Sequence, residues 1–290
     1  MLIEQVGQYV AQINSQWDPR LTEAFIDLVR EYDAHGGLSK HFTNELCNKT
    51  SFLERIWELL LFRMLKNSKY PFKIGKDGQP DFYIPKQQLW IEAIAPKPID
   101  ISDEYLNLTQ QKQIISHQVP HDEIILRWMS AIAEKKRKLE QYKEKNVVKE
   151  NEKYIIAISS CQLGDIPTLQ GQSGYPCPVE IGYGIGPLVA YFYKDNPDLD
   201  HVNNTHRESV FNKNKSPVET QIFFNPENNC VSGILGSTAG IDDILNCNAK
   251  FALAHNYKAT NPLPRGIFKS TDEYIAITLD ESKLKIEKIN

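Results

Sequence analysis

Pro80-Asp81-Phe82-Tyr83-Ile84-Pro85-Lys86-Gln87-Gln88-Leu89-Trp90-Ile91-Glu92-Ala93-Ile94 places two short runs of apolar and aromatic residues around a polar loop that opens with proline. Such runs read as strands, and a loop over 85–88 closes them into a hairpin. The register that follows pairs 84 with 89, 83 with 90, 82 with 91 and 81 with 92. Side chains alternate faces along a strand. Phe82, Ile84, Leu89, Ile91 and Ala93 therefore share an apolar face, and Asp81, Tyr83, Trp90 and Glu92 share the other. Asp81 is then opposite Glu92, with Cβ atoms about 5 Å apart. Opposed like charges destabilise a sheet unless a proton or a cation neutralises them. Two carboxylates at that separation suit a hard divalent cation such as Mg²⁺. Glu92 also stands among Trp90, Ile91, Ala93 and Ile94, where a solvated charge is out of place.

The neighbouring segments extend this pattern. Upstream, Leu53, Ile56, Trp57, Leu60 and Met64 recur at helical spacing from Ser51 or Phe52 to about Lys66, and Asn67-Ser68 and Pro71 end that helix. Glu58 shares a stripe with Leu61 and Leu65, which predicts partial burial; a surface ion pair with Arg55 is the competing reading. Downstream, a long helix is expected from about Glu123 to Lys145, with Ile125, Trp128, Ile132, Leu139 and Tyr142 as its apolar stripe. Lys135 falls within that stripe, an unusual place for a lysine without a carboxylate partner. Snorkelling to solvent is its alternative, and Lys138 is the next candidate. Tyr154-Ile155-Ile156-Ala157-Ile158 reads as a strand buried on both faces. Helix, hairpin, helix and strand in that order predict an α/β layer around a mixed sheet.

Pro80-Asp81, followed eleven residues later by Ile91-Glu92-Ala93, resembles the motif of the PD-(D/E)XK nuclease superfamily, the restriction-endonuclease-like fold. Phe52-Leu53-Glu54-Arg55-Ile56-Trp57-Glu58-Leu59-Leu60 fits the helix that precedes it in that family, and the likeness covers residues 51–160. The resemblance implies a core mixed β-sheet flanked by helices, with Asp81 and Glu92 holding Mg²⁺ or Mn²⁺ and Glu58 assisting from the first helix. It implies hydrolysis of DNA phosphodiesters by a metal-activated water. The family's lysine, two residues after the glutamate, is Ile94 here. Some members of the fold carry that lysine on a following helix, which makes Lys135 the implied replacement. Loss of the adjacent lysine also leaves open a catalytically inactive binding or scaffold protein of the same fold.

The remaining sequence is read as one elaborated domain: residues 1–50 a helical extension, 51–160 the nuclease-like core and 161–290 additional strands and loops. The helical extension breaks at His35-Gly36-Gly37. Further strands are expected at 221–224, 231–235 and 274–278, and the Asn-rich stretch 195–217 reads as a long loop. Gly182-Tyr183-Gly184-Ile185-Gly186 lacks the full dinucleotide-binding spacing, and Gly233-Ile234-Leu235-Gly236-Ser237-Thr238 has no phosphate-loop lysine. A small-molecule α/β enzyme working through the Gly-rich second half is a third reading, which a nucleotide or sugar bound near 171–186 would support. His117 and His121 flank a proline-containing loop rather than forming a helical metal pair, and His255 reads as a hydrogen-bonding residue.

The chain has 290 residues, with 33 Lys and Arg against 37 Asp and Glu, and a net charge of −4. That balance argues against indiscriminate nucleic-acid binding. A local run from Glu134 to Glu150, with six Lys and Arg137 against four Glu, carries +3 and could meet phosphates or simply face solvent. Mean hydropathy is −0.43. No apolar run reaches the ~18 residues of a membrane span, and no signal-peptide pattern opens the chain. A cytoplasmic protein with reduced thiols is expected, without a membrane partner and with a homodimer allowed. The five cysteines are scattered without zinc-ligand spacing.

Overall fold

The computed structural model describes residues 2–13, 18–110, 118–165, 167–280 and 283–289. The hairpin is its starting point. Strands β2 (Phe82–Ile84) and β3 (Leu89–Ile94) pair antiparallel with Phe82 opposite Ile91, Tyr83 opposite Trp90 and Ile84 opposite Leu89, and a short β1 (Lys73–Ile74) adds to the free edge of β2. These are three of the four pairs that the alternation predicts; the fourth, Asp81 with Glu92, lies beyond the end of β2. Gly75 is indispensable to the hairpin: a Cβ there would fall 1.8 Å from the carbonyl oxygen of Pro80. The close approach lets the Gly75 amide donate to Asp81 O at 2.7 Å, which fixes the mouth of β2.

On the other side of the hairpin, β4 (Lys153–Ser159) runs parallel to β3. The sheet then continues through the C-terminal third. Its eight strands lie in the order β1-β2-β3-β4-β9-β10-β11-β12, where β9 is Gly233–Ser237, β10 Phe251–His255, β11 Asp272–Asp280 and β12 Lys283–Lys288. β4–β9 and β10–β11 are parallel, and β9–β10 and β11–β12 are antiparallel. The fold is thus α/β with a large mixed sheet flanked by helices.

Helices α1 (Leu2–Ile13), α2 (Pro19–Ala34), α3 (Lys40–Leu46) and α4 (Phe52–Lys66) pack against one face through Phe25, Trp57, Phe62, Phe82 and Ile91. Ridges of Leu, Met, Arg and Glu give α4 good intrinsic propensity. Its Trp57 indole donates to Ala157 O of β4 at 3.1 Å, which pins helix to sheet. The opposite face is covered by α6 (His121–Glu144) and α7 (Cys177–Tyr183), packed on Trp90, Tyr154, Ile156 and Ile234. Asp122 and Glu123 occupy the first turn of α6, where the helix dipole favours acids. Short helices α5 (Asp103–Leu106) and α8 (Asp243–Asn246) lie in the connections.

Several expectations need correction. The stretch 195–217 is not one loop. Two small antiparallel ribbons run through this region: β5 (Ile185–Tyr191) with β6 (His201–His206), and β7 (Ser209–Phe211) with β8 (Pro217–Glu219). The strand expected at 221–224 is a 3₁₀ turn over Ile222–Phe224, with Ile222 and Phe223 buried in the α6–α7 layer. The first glycine-rich run ends α7 and opens β5. A Cβ on its Gly182 would meet the Phe223 ring at 2.5 Å, so this glycine serves packing. All five cysteines are free thiols.

Two buried acid–histidine pairs hold the second half together. His121 Nε2 lies 2.7 Å from Glu180 Oε2, and the Ser173 amide donates to the other oxygen at 2.5 Å. His255 Nε2 lies 3.0 Å from Glu273, which also accepts from the amides of Gly266 and Phe268. His255 is therefore the hydrogen-bonding residue expected, whereas His117 lies outside the described residues. Burial works against charge on Glu180 and Glu273, but the histidine and amide hydrogen bonds outweigh it and hold both carboxyls below their usual value of 4.5. Acids depressed in the folded state stabilise it above their unfolded pKa, and that contribution disappears as pH falls through the folded values. The thermal midpoint is accordingly expected to drop below about pH 4.5, and Glu180→Gln with Glu273→Gln should flatten that limb of a calorimetric pH series.

Candidate active site

The two strands and α6 bring Asp81, Glu92 and Lys135 together. Glu92 is completely buried, on the face of β3 that α6 covers. Lys135 Nζ lies 3.0 Å from its Oε1, and Lys138 Nζ approaches the same oxygen at 2.6 Å. The Tyr142 hydroxyl donates to Oε2 at 3.2 Å. Three residues on one stripe of α6 thus converge on one carboxylate. Asp81, one residue before β2, turns its carboxylate onto the neighbouring strand, where Oδ2 accepts from the Ala93 amide at 2.6 Å.

Glu58 is buried in α4. Tyr32 OH donates to its Oε1 at 2.5 Å and Arg55 to its Oε2 at 2.5 Å. The expected ion pair with Arg55 therefore exists, but underneath α2 and α3 rather than on the surface. The Arg55 guanidinium also lies 3.4 Å from Glu45. Three acids, Glu58, Asp81 and Glu92, are set against three cations, Arg55, Lys135 and Lys138.

Electrostatics rank these groups. Burial, then the negative charges of Glu92 and Glu58, push the Asp81 carboxyl well above its ordinary range, against the pull of Lys135 and the Ala93 amide. Burial likewise raises Glu58, with Arg55 and Tyr32 opposing it. Burial disfavours the Lys138 ammonium, yet Glu92 and Asp81 more than compensate and its pKa rises. Burial and Glu92 raise Tyr142, which keeps it a neutral donor. The Tyr154 hydroxyl on β4 is buried without a hydrogen-bond partner among the described residues and is raised by burial and by Glu92.

A cleft of about 380 Å³ opens beside this centre, between α4, the chain following β3 and α6, with Glu58, Ala93 and Lys135 in its wall. Arg55, Lys97 and Arg127 bring further positive charge, and Glu54 and Glu134 bring acid.

The donor chemistry can be tested for a divalent cation. Among the described residues no three His, Cys, Asp or Glu side chains form a ready metal cluster. Glu58 is held by Tyr32 and Arg55, and Glu92 by Lys135, Lys138 and Tyr142, so a cation at Asp81 and Glu92 would have to displace a lysine. Mg²⁺ is commonly held by one or two carboxylates, with waters and substrate phosphate completing the shell. Asp81 and Glu92 would fill that role if the half-exposed Lys138 gave way at Glu92 Oε1. The +3 run is largely answered within the protein: besides Lys135 and Lys138, Lys136 lies 3.6 Å from Glu227 and Lys143 lies 2.6 Å from Glu150.

Tyr32, Tyr142, Lys97 and Arg127 were not identified from the sequence as site residues. Tyr142 carried a signal, since it follows Lys138 by four residues on the lysine stripe. No family model, curated protein or solved structure matches the chain.

Proposed function

We propose that this protein is a divalent-metal-dependent, nuclease-like hydrolase of DNA phosphodiesters, built on a restriction-endonuclease-like core. The supporting observation is the 3.0 Å contact between Lys135 Nζ and Glu92 Oε1. That contact brings a lysine from about four turns into the covering helix to Glu92, beside which Ile94 departs from the family pattern. Asp81 and Glu92 would bind Mg²⁺ or Mn²⁺, which when bound lowers the pKa of a water and offsets charge on the phosphate. Lys135 sits between Glu92 and the cleft, where its ammonium can meet charge developing on a phosphate oxygen. Tyr142 orients Glu92 from Oε2. Glu58 acts as a positioning residue, holding Arg55 at the cleft wall.

One observation favours the same fold without catalysis. Glu92 is already neutralised by Lys135 and Lys138, the condition expected of a scaffold that has no need of metal. Cleavage of plasmid and single-stranded DNA with Mg²⁺ or Mn²⁺, together with calorimetric titration of Mn²⁺, separates the readings. Metal-dependent cleavage that a chelator stops supports the hydrolase. Neither cleavage nor measurable Mn²⁺ binding would leave the scaffold.

A further inference from the structure

The cleft beside Glu92 gathers four cations, Arg55, Lys97, Arg127 and Lys135, alongside three acids, Glu54, Glu58 and Glu134. Arg55 is engaged by Glu58, and Lys135 by Glu92. Arg127, two turns before Lys135 on α6, makes no close ion pair among the described residues: its Nε is buried without a hydrogen-bond partner there, and Asp100 is an acid on which its charge acts. Lys97, held between Pro96 and Pro98 just past β3, is exposed at the same cleft. An arginine guanidinium and a lysine ammonium on one cleft wall suit a phosphate, to which arginine makes charge-assisted, forked bonds.

The geometry along α6 sets the spacing. Arg127, Ala131 and Lys135 follow one another at four-residue steps on one stripe, all three in the cleft wall. The small Ala131 leaves room between the two cations. Eight residues of helix separate them by about 12 Å along the axis, the scale of a nucleotide or two of extended strand. At about 380 Å³ the cleft is on the scale of one nucleotide rather than of a base pair.

We propose that this cleft is the entry subsite for a single, unpaired DNA strand, with Arg127 and Lys97 holding a backbone phosphate that flanks the one presented to Lys135 and Glu92. This rests on the hydrolytic reading of that centre and names its substrate as single-stranded DNA. Glu54 and Glu134 in the wall would disfavour random backbone contacts and restrict phosphate to the Arg127 end.

The test is fluorescence anisotropy with labelled octathymidylate and a duplex of equal length, with chelator present, across a salt series. The wild-type protein is expected to bind the single strand at least ten times more tightly than the duplex. Arg127→Ala should weaken single-strand binding about tenfold and lower the salt slope by about 0.7. Lys97→Ala, at an exposed position that folding does not depend on, should do the same to a smaller extent. Lys149→Ala, outside the cleft, should change neither quantity. Equal affinity for duplex, or a salt slope unchanged in both cleft variants, would overturn the inference. Failure of the hydrolytic reading would look different: Arg127-dependent single-strand binding would persist with no metal-dependent cleavage of any DNA.

Discussion

Replacing Glu92 with glutamine is expected to reduce metal-dependent cleavage by about 10³-fold or more and to destabilise the fold by about 3 kcal/mol. The two effects have different causes. Activity falls because the neutral amide is a poor partner for a divalent cation and no longer fixes Lys135. Stability falls because Lys135 is left nearly buried without its counter-charge, and breaking a buried pair from one side costs more than the pair itself contributes. Lys138 loses less, since its side chain is 42% exposed and can reach water. The double variant Glu92→Gln/Lys135→Met should recover part of the lost stability, because the uncompensated ammonium is gone, while cleavage stays absent. Denaturant unfolding and single-turnover cleavage on the same preparations check both parts. Wild-type cleavage by a folded Glu92→Gln protein would remove Glu92 from the chemistry.

How much of this arrangement was legible in the sequence depends on the kind of burial involved. The hairpin was readable because a four-residue loop fixes the register and because Phe82, Ile84, Leu89 and Ile91 all fall on one core face, so alternation survives in the residues. α6 was readable from its one-sided apolar stripe, and β4 from the opposite pattern, a β-branched run buried on both faces. The β5–β6 ribbon was not: from Leu188 to Asn204 it is almost wholly exposed on both faces, so His201-Val-Asn-Asn-Thr-His206 shows no apolar period. β10 was missed for the opposite reason. Phe251-Ala-Leu-Ala-His255 is buried throughout and has no β-branched residue to separate strand from helix.

The site divides in the same way. Lys135 announced itself as a charge inside an apolar stripe, and Asp81 and Glu92 as acids facing each other across a hairpin. Tyr32 could not be found, because it reaches Glu58 from 26 residues upstream through the packing of α2 on α4. Arg55 and Glu58 have the spacing of a surface pair. Only the cover of α2 and α3 turns them into buried partners. Lys97 and Arg127 break no pattern in the chain, and their relation appears only once the segment after β3 folds back along α6.

The two lysines on Glu92 should separate in kinetics. Lys135→Met is expected to lower the single-turnover rate by about 10²–10³-fold with little change in substrate affinity, the effect of removing one well-placed donor to developing charge. Its stability cost should stay near 1–2 kcal/mol, below that of a fully broken buried pair, because Lys138 and Tyr142 still satisfy Glu92. Lys138→Met should slow the reaction less than tenfold. That ammonium is half-exposed, and it occupies the oxygen that a divalent cation would claim, so its loss removes a competitor as well as a partner. Mn²⁺ affinity gives the decisive second readout. It should rise in Lys138→Met, where Oε1 is vacated, and change little in Lys135→Met. If Lys138→Met proves the slower variant and also binds Mn²⁺ more weakly, the roles of the two lysines are exchanged. The helix would then present its working cation one turn nearer the C-terminus, away from the wall of the cleft.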